Sequence, residues 1–467
     1  MDNKETNKTL ILVLIAILAL CGCMIISCCA AAVYSMSRMN RDTIIEFLSN
    51  GTETLPSLND PDSSSGMQSE EEVQTAEGLT SEEQKIISIT EEIRGITAEN
   101  KLAPIYKSSD ELRQDLISDL QEVTDEEFAE ELGLYKILGF APDDFDLRQF
   151  YVDLYTEQIA GFYDPEENAM YLIADISPRE NALTLAHEYT HYLQYNHDEF
   201  RETLDYDDDF CEKNGEMCVI IDALVEGDAS LTENLADAED TILKLPDNYT
   251  NNEEPSSTVF DNAPKFFQDS LLFSYVYGFD FVAYHYMRGG FEAVNRMYTN
   301  LPQSVEQIMH PEKYLIDQPV SVTSEPFRSM IAKDFDIIQE DVLNEADILQ
   351  ILGSGWDSDW QLSEKQASAG ADGWGGGAYI FAEADDQPLF FSKTIWDSKK
   401  EADEAENAFQ NYCNKRFGKQ VSENVWQGSD GSSVYLIKQN DILYWMILPE
   451  NCDAATLVGL IRNGSAL

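Results

Sequence analysis

Histidine and positive charge are what this chain has least of. Its 467 residues include 5 histidines and 30 lysines and arginines, against 87 aspartates and glutamates, for a formal charge of −57. That balance excludes a nucleic-acid partner, because phosphates would be repelled rather than neutralised. It implies a strongly solvated surface instead. Repeats at solenoid periods are lacking too. With 43% apolar residues the chain can build ordinary cores, and its length asks for two or three of them.

Charge vanishes altogether between Thr9 and Ser37, where "LILVLIAILALCGCMIISCCAAAV" supplies 24 mostly apolar residues. Roughly 20 cross a bilayer as a helix, whereas the apolar part of a cleaved signal peptide is shorter, about 7–15. Residues 1–40 are therefore expected to be an uncleaved single-pass membrane anchor. The "LCGC" ending at Cys23 resembles a degraded lipobox, so lipid attachment at Cys23 stands as the alternative tether. Lys4 and Lys8 lie before the span and Arg38 and Arg41 after it, so charge does not orient it. Cysteine does. Outside the span the cysteines form two pairs, Cys211 with Cys218 and Cys413 with Cys452, which suggests disulfides and an extracytoplasmic body. Four buried thiols are the competing reading.

Residues 41–84 are polar, acidic and poor in large apolar side chains, the pattern of a disordered stalk. Residues 85–350 form a mainly helical domain by periodicity, with one β-hairpin in "IAGFYDPEENAMYLIAD" around the turn-forming "DPEEN". Beyond "LGSGW" the pattern changes, and residues 351–467 read as a small α+β domain of ββαββα order. Helices on one face of an antiparallel sheet are expected there. The fold class is α+β.

The histidine scarcity is what makes "LTLAHEYTHYLQYNH" informative, since it holds three of the five. His187 and His191 stand four apart on a predicted helix, so they share one face about 6 Å apart along the axis. Both imidazoles can then reach one Zn2+ ion. Glu188 is rotated aside, placed to act as general base on a zinc-activated water that attacks a peptide carbonyl. The plain alternative is accidental spacing on an amphipathic helix. His197 falls outside the register and reads as a loop histidine. Catalytic zinc takes three protein ligands, and the third must come from elsewhere. Glu226, inside the apolar run of "DALVEGDASLTE", is the best candidate, because a carboxylate there is costly unless paired or metal-bound. Gly227 beside it permits close helix approach. Asp222, Asp228 and Glu233 are nearby carboxylates suited to orienting a histidine through its other ring nitrogen. The hairpin before the helix offers an edge strand to an extended substrate.

Together these residues resemble the glutamate-type zincin metallopeptidases, the gluzincins. A closer resemblance is to a group of membrane-tethered, metallopeptidase-like proteins of bacteria and archaea. It rests on "GFYDP" (Gly161–Pro165), "LVEGDA" (Leu224–Ala229), "SVEQIMHPEKY" (Ser304–Tyr314) and "WD" (Trp396–Asp397), and spans roughly residues 150–467. The third motif departs from the group, which usually has threonine after the serine. The resemblance implies a zincin-like fold for 85–350, zinc on His187, His191 and Glu226, Glu188 as base, and a peptide or protein substrate. His310 and Tyr314 are candidates for stabilising the oxyanion; the alternative is that His310 caps a helix ended by Pro311. Tyr277 has the same two readings. A rival function keeps the metal structural, in a non-catalytic surface binding or sensor protein whose C-terminal domain does the binding. Glu188 separates the two, since a structural site needs no base.

Overall fold

The computed structural model describes residues 78–120, 123–174, 176–206, 208–239, 242, 245 and 258–463. The expected anchor, Cys23 and most of the expected stalk lie outside them. The first described helix begins inside the stretch read as stalk. Helix α1 (Ser81–Arg94) is closed at its start by a reciprocal cap between Thr80 and Glu83, and Leu79 before it is buried. Among the described residues no helix is long and apolar enough to cross a membrane.

A small sheet follows. β1 (Ile105–Lys107) runs parallel to β3 (Ala169–Ile173), and β2 (Gly161–Asp164) pairs antiparallel to β3 as the expected hairpin. β2 is an edge strand, as the sequence suggested. Helices α2 (Ser109–Leu120), α3 (Asp125–Leu138) and α4 (Leu147–Gln158) close around Phe150, Tyr155 and Phe267. Helix α5 (Pro178–Tyr195) carries the histidines. Ser177 and Glu180 cap it reciprocally, and Pro178 occupies its first turn, where a missing N–H costs nothing.

Two longer helices pack behind it, α6 (Gly215–Asp237) and α7 (Lys265–Thr299), the latter kinked at Gly289–Gly290. They touch backbone to backbone. A β-carbon at Gly227 would lie 2.2 Å from the Gly278 carbonyl oxygen, and one at Gly278 would lie 2.1 Å from that of Ala223. Gly227 thus does permit a close approach, though to α7 rather than to the histidine helix.

The C-terminal half is mixed α and β, but its sheet is larger than the ββαββα reading. The strand order is β4–β5–β6–β9–β8–β7, all pairs antiparallel. β5 (Trp374–Ala384), β6 (Gln387–Trp396), β8 (Ser433–Gln439) and β9 (Ile442–Leu448) are the expected strands, while β4 (Asp336–Asp341) and β7 (Val425–Gln427) are added at the edges. β4 precedes the expected boundary at 351. Helices cover both faces, not one. Helices α9 (Glu345–Gly353), α10 (Glu364–Ala371) and α11 (Lys399–Arg416) pack with Phe381, Phe390 and Trp445. On the other face Phe327–Ile331 and the last helix, α12 (Ala454–Arg462), pack with Ile380, Phe391 and Tyr444. Here α8 is the short helix Val305–Met309, at the junction between the halves.

Cys211 and Cys218 form a disulfide. Cys413 and Cys452 do not, contrary to expectation, because the sheet separates them. Cys413 is buried in the core of one face, and Cys452 packs on the core of the other.

Candidate metal centre

Helix α5 turns His187 and His191 to the same side, their ring centroids 4.8 Å apart. Helix α6 packs beside it and brings Glu226 between them. His187 Nε2 lies 3.2 Å from Glu226 Oε2, and His191 Nε2 lies 3.5 Å from Glu226 Oε1. The three residues are at most 3% exposed, and Glu188 is fully buried beside them. A tetrahedral ion with bonds of about 2.1 Å spaces its ligand atoms roughly 3.4 Å apart. The donor set fits such an ion. Two imidazole nitrogens face one carboxylate, His191 Nε2 is buried with no hydrogen-bond partner, and the ligand atoms of all three residues fall within 4.8 Å of one another.

The other ring nitrogens are held. His187 Nδ1 donates to Glu233 Oε2 at 3.0 Å, which leaves Nε2 free to face the centre. His191 Nδ1 donates to Gln194 Oε1 at 2.8 Å. Gln194 is fixed in turn, its Nε2 donating to Val225 O at 3.0 Å and Asp228 Oδ2 at 3.1 Å. Asp228 also accepts from Tyr298 Oη at 2.8 Å and pairs with Arg94 Nε at 2.8 Å, both charges wholly buried. Of the three carboxylates proposed as orienters, Glu233 holds a histidine directly and Asp228 holds one through Gln194. Asp222 holds neither. It accepts from Ser274 Oγ at 2.6 Å, and burial pushes its carboxyl up to about 6 against that bond.

Burial and mutual contacts shift all three groups. Burial alone would push His187 down, but its bonds to Glu226 and Glu233 outweigh this and carry it well above its ordinary value. Burial and the His187 charge push His191 down to about 3. Burial raises Glu226 to about 7, opposed by His187 and by the Tyr275 hydroxyl.

The remaining candidates sit elsewhere. His197 stacks on Phe200 at 4.1 Å. His310 Nε2 meets Glu345 Oε1 at 2.9 Å, at the junction with the C-terminal half. Tyr314 packs on Phe281 and His285 and donates its hydroxyl to Asn300 O. Tyr277 packs on Phe273. None of their contacts described here is with the centre. His310 also closes a short helix, as the alternative reading had it. The tyrosine that does reach the centre is Tyr275, two residues before Tyr277, with its ring 6.4 Å from that of His187. Asp397 of the "WD" motif faces Lys313, tying "HPEKY" to the C-terminal sheet.

Residues 330–450 match the model of a family described as a domain of unknown function (DUF8575). The match takes in β4 and ends just after β9. No curated protein and no solved structure matches the chain.

Proposed function

We propose that this chain is a membrane-tethered, extracytoplasmic zinc metallopeptidase of the gluzincin kind. The convergence of His187, His191 and Glu226 from two helices, with Glu188 next to the first ligand, carries the reading. A bound zinc ion would supply the Lewis acid that polarises a peptide carbonyl and acidifies water. The chain's own residues do the rest. Glu233 and Gln194 fix the imidazole tautomers, so both Nε2 lone pairs face one point. Glu188 takes a proton from the attacking water and returns it to the departing amine. The tether rests on the apolar span at 10–33, and the outward-facing body on Cys211–Cys218.

One observation favours the rival reading, a surface binding protein with a structural metal: the three ligating residues and Glu188 are all buried. Glu188 argues against it. Metal analysis of the purified full chain, then peptide-library digestion with and without chelator, decides. One zinc per chain and chelator-sensitive cleavage are expected. Stoichiometric zinc without cleavage would move the chain to the binding class, and a folded chain that takes up no zinc would overturn both readings.

A further inference from the structure

A buried centre needs a route for substrate, and a cavity of about 320 Å3 is lined by two residues that act on its carboxylate ligand. Tyr275 and Asp222 line that cavity, and both act on Glu226, one through its hydroxyl and the other by charge. The opposite wall belongs to the C-terminal half, with Asp341 on β4, Asp347 on α9, Tyr379 on β5 and Phe390 on β6. Most of the surface between is apolar, from side chains such as Leu134, Leu138, Phe266 and Phe273.

The polar lining is one-sided. Glu131, Glu216, Asp222, Asp341 and Asp347 line the cavity, and no lysine, arginine or histidine does. All five of these carboxylates have donors within the fold, and four have no buried oxygen left over. Glu216 accepts from Val305 N at 2.9 Å, Asp222 from Ser274, Asp341 from Val342 N at 2.7 Å and Asp347 from Asn344 N at 2.9 Å. Glu131 differs. Its Oε1 accepts from Tyr135 Oη at 2.6 Å and Tyr151 Oη at 3.1 Å, while its Oε2 is buried with no donor among the described residues. Such an oxygen is costly. Burial pushes the Glu131 carboxyl up to about 7, against the two tyrosine bonds.

We propose that this chamber binds a lysine or arginine side chain of the substrate peptide, its stem against the leucine and phenylalanine walls and its cationic head at Glu131. The proposal gives the C-terminal domain a function, as the second wall of a specificity pocket. It rests on the peptidase reading for the word substrate, but recognition of the side chain needs no metal.

The test is therefore a binding measurement. Calorimetry on the purified full chain compares Nα-acetyl-arginine amide with the citrulline amide, which keeps the shape and loses the charge. The arginine probe should bind at least about tenfold more tightly, as one charge-assisted hydrogen bond gives, and Glu131→Gln should abolish the difference. Equal binding of the two probes to the wild-type chain would overturn the proposal whatever the variant does. So would a preference that survives Glu131→Gln. Arginine-selective binding by a chain that cleaves no peptide would support the pocket and sink the peptidase reading alone.

Discussion

Replacing Glu233 by alanine asks how much of the centre's affinity resides in residues that never touch the ion. Glu233 accepts the Nδ1 proton of His187 at 3.0 Å, and both groups are largely buried. With the carboxylate gone, His187 keeps its place in the helix but loses what fixes its tautomer and its ring. Loss of such a partner weakens metal binding by about 10- to 100-fold, or roughly 1.4–2.7 kcal/mol. Glu226→Ala removes a ligand and should cost more. Asp222→Ala, on the same helix but bonded to Ser274, should cost much less. Competition against a chromophoric chelator, on chains stripped of metal and refilled, ranks the three. Wild-type affinity in Glu233→Ala, or an equal loss in Asp222→Ala, would refute the assignment of Glu233 as the group that holds His187.

Further expectations follow from the same geometry. Glu188→Gln should keep zinc near wild type and lower peptide hydrolysis by about 10²–10⁴-fold; equal turnover would reject it as the base. Gly278→Ala forces a methyl to within 2.1 Å of the Ala223 carbonyl oxygen, where backbone rather than a side chain must yield. A loss of at least about 1–3 kcal/mol in denaturant melts is expected, and an unchanged midpoint would mean the helices are not so close. Burial pushes Glu216 up to about 8, against its bond from Val305. The folded chain therefore keeps a proton there that the unfolded chain has released, and the contribution of this one group to stability falls as pH rises, by roughly 1.4 kcal/mol per unit between about pH 5 and pH 8. Glu216→Gln should flatten that slope; melts of variant and wild type that stay parallel from pH 5 to pH 8 would contradict it.

The parts of the centre that were legible in the sequence are the local ones. A histidine pair four apart on a helix needs no knowledge of the fold, and neither does the cost of Glu226 inside an apolar run. Which carboxylate steers which histidine depends on how two helices cross, so Glu233, Asp228 and Asp222 could be named together but not told apart. Gln194 was missed, although its place three residues after His191 puts it on the same helical face. Arg94 lies 134 residues from Asp228, and no spacing connects them. In the C-terminal half the signal was present and underused. "PLFF" and "ILYWMIL" are continuous apolar runs, the mark of strands covered on both faces rather than one. Reading them so would have placed helices on opposite sides and separated Cys413 from Cys452.

The position of β4 bears on how this chain can be divided. β5 pairs with β4 through Tyr379–Glu383, and β4 lies ahead of the place where the sequence changes character. A fragment cut at residue 351 would bare that row of backbone amides and carbonyls along a largely buried, apolar strand. Bare edges of this kind recruit other strands. Such a fragment should therefore be prone to self-association and precipitation, while one that starts ahead of Phe327 carries its own edge and stays dispersed.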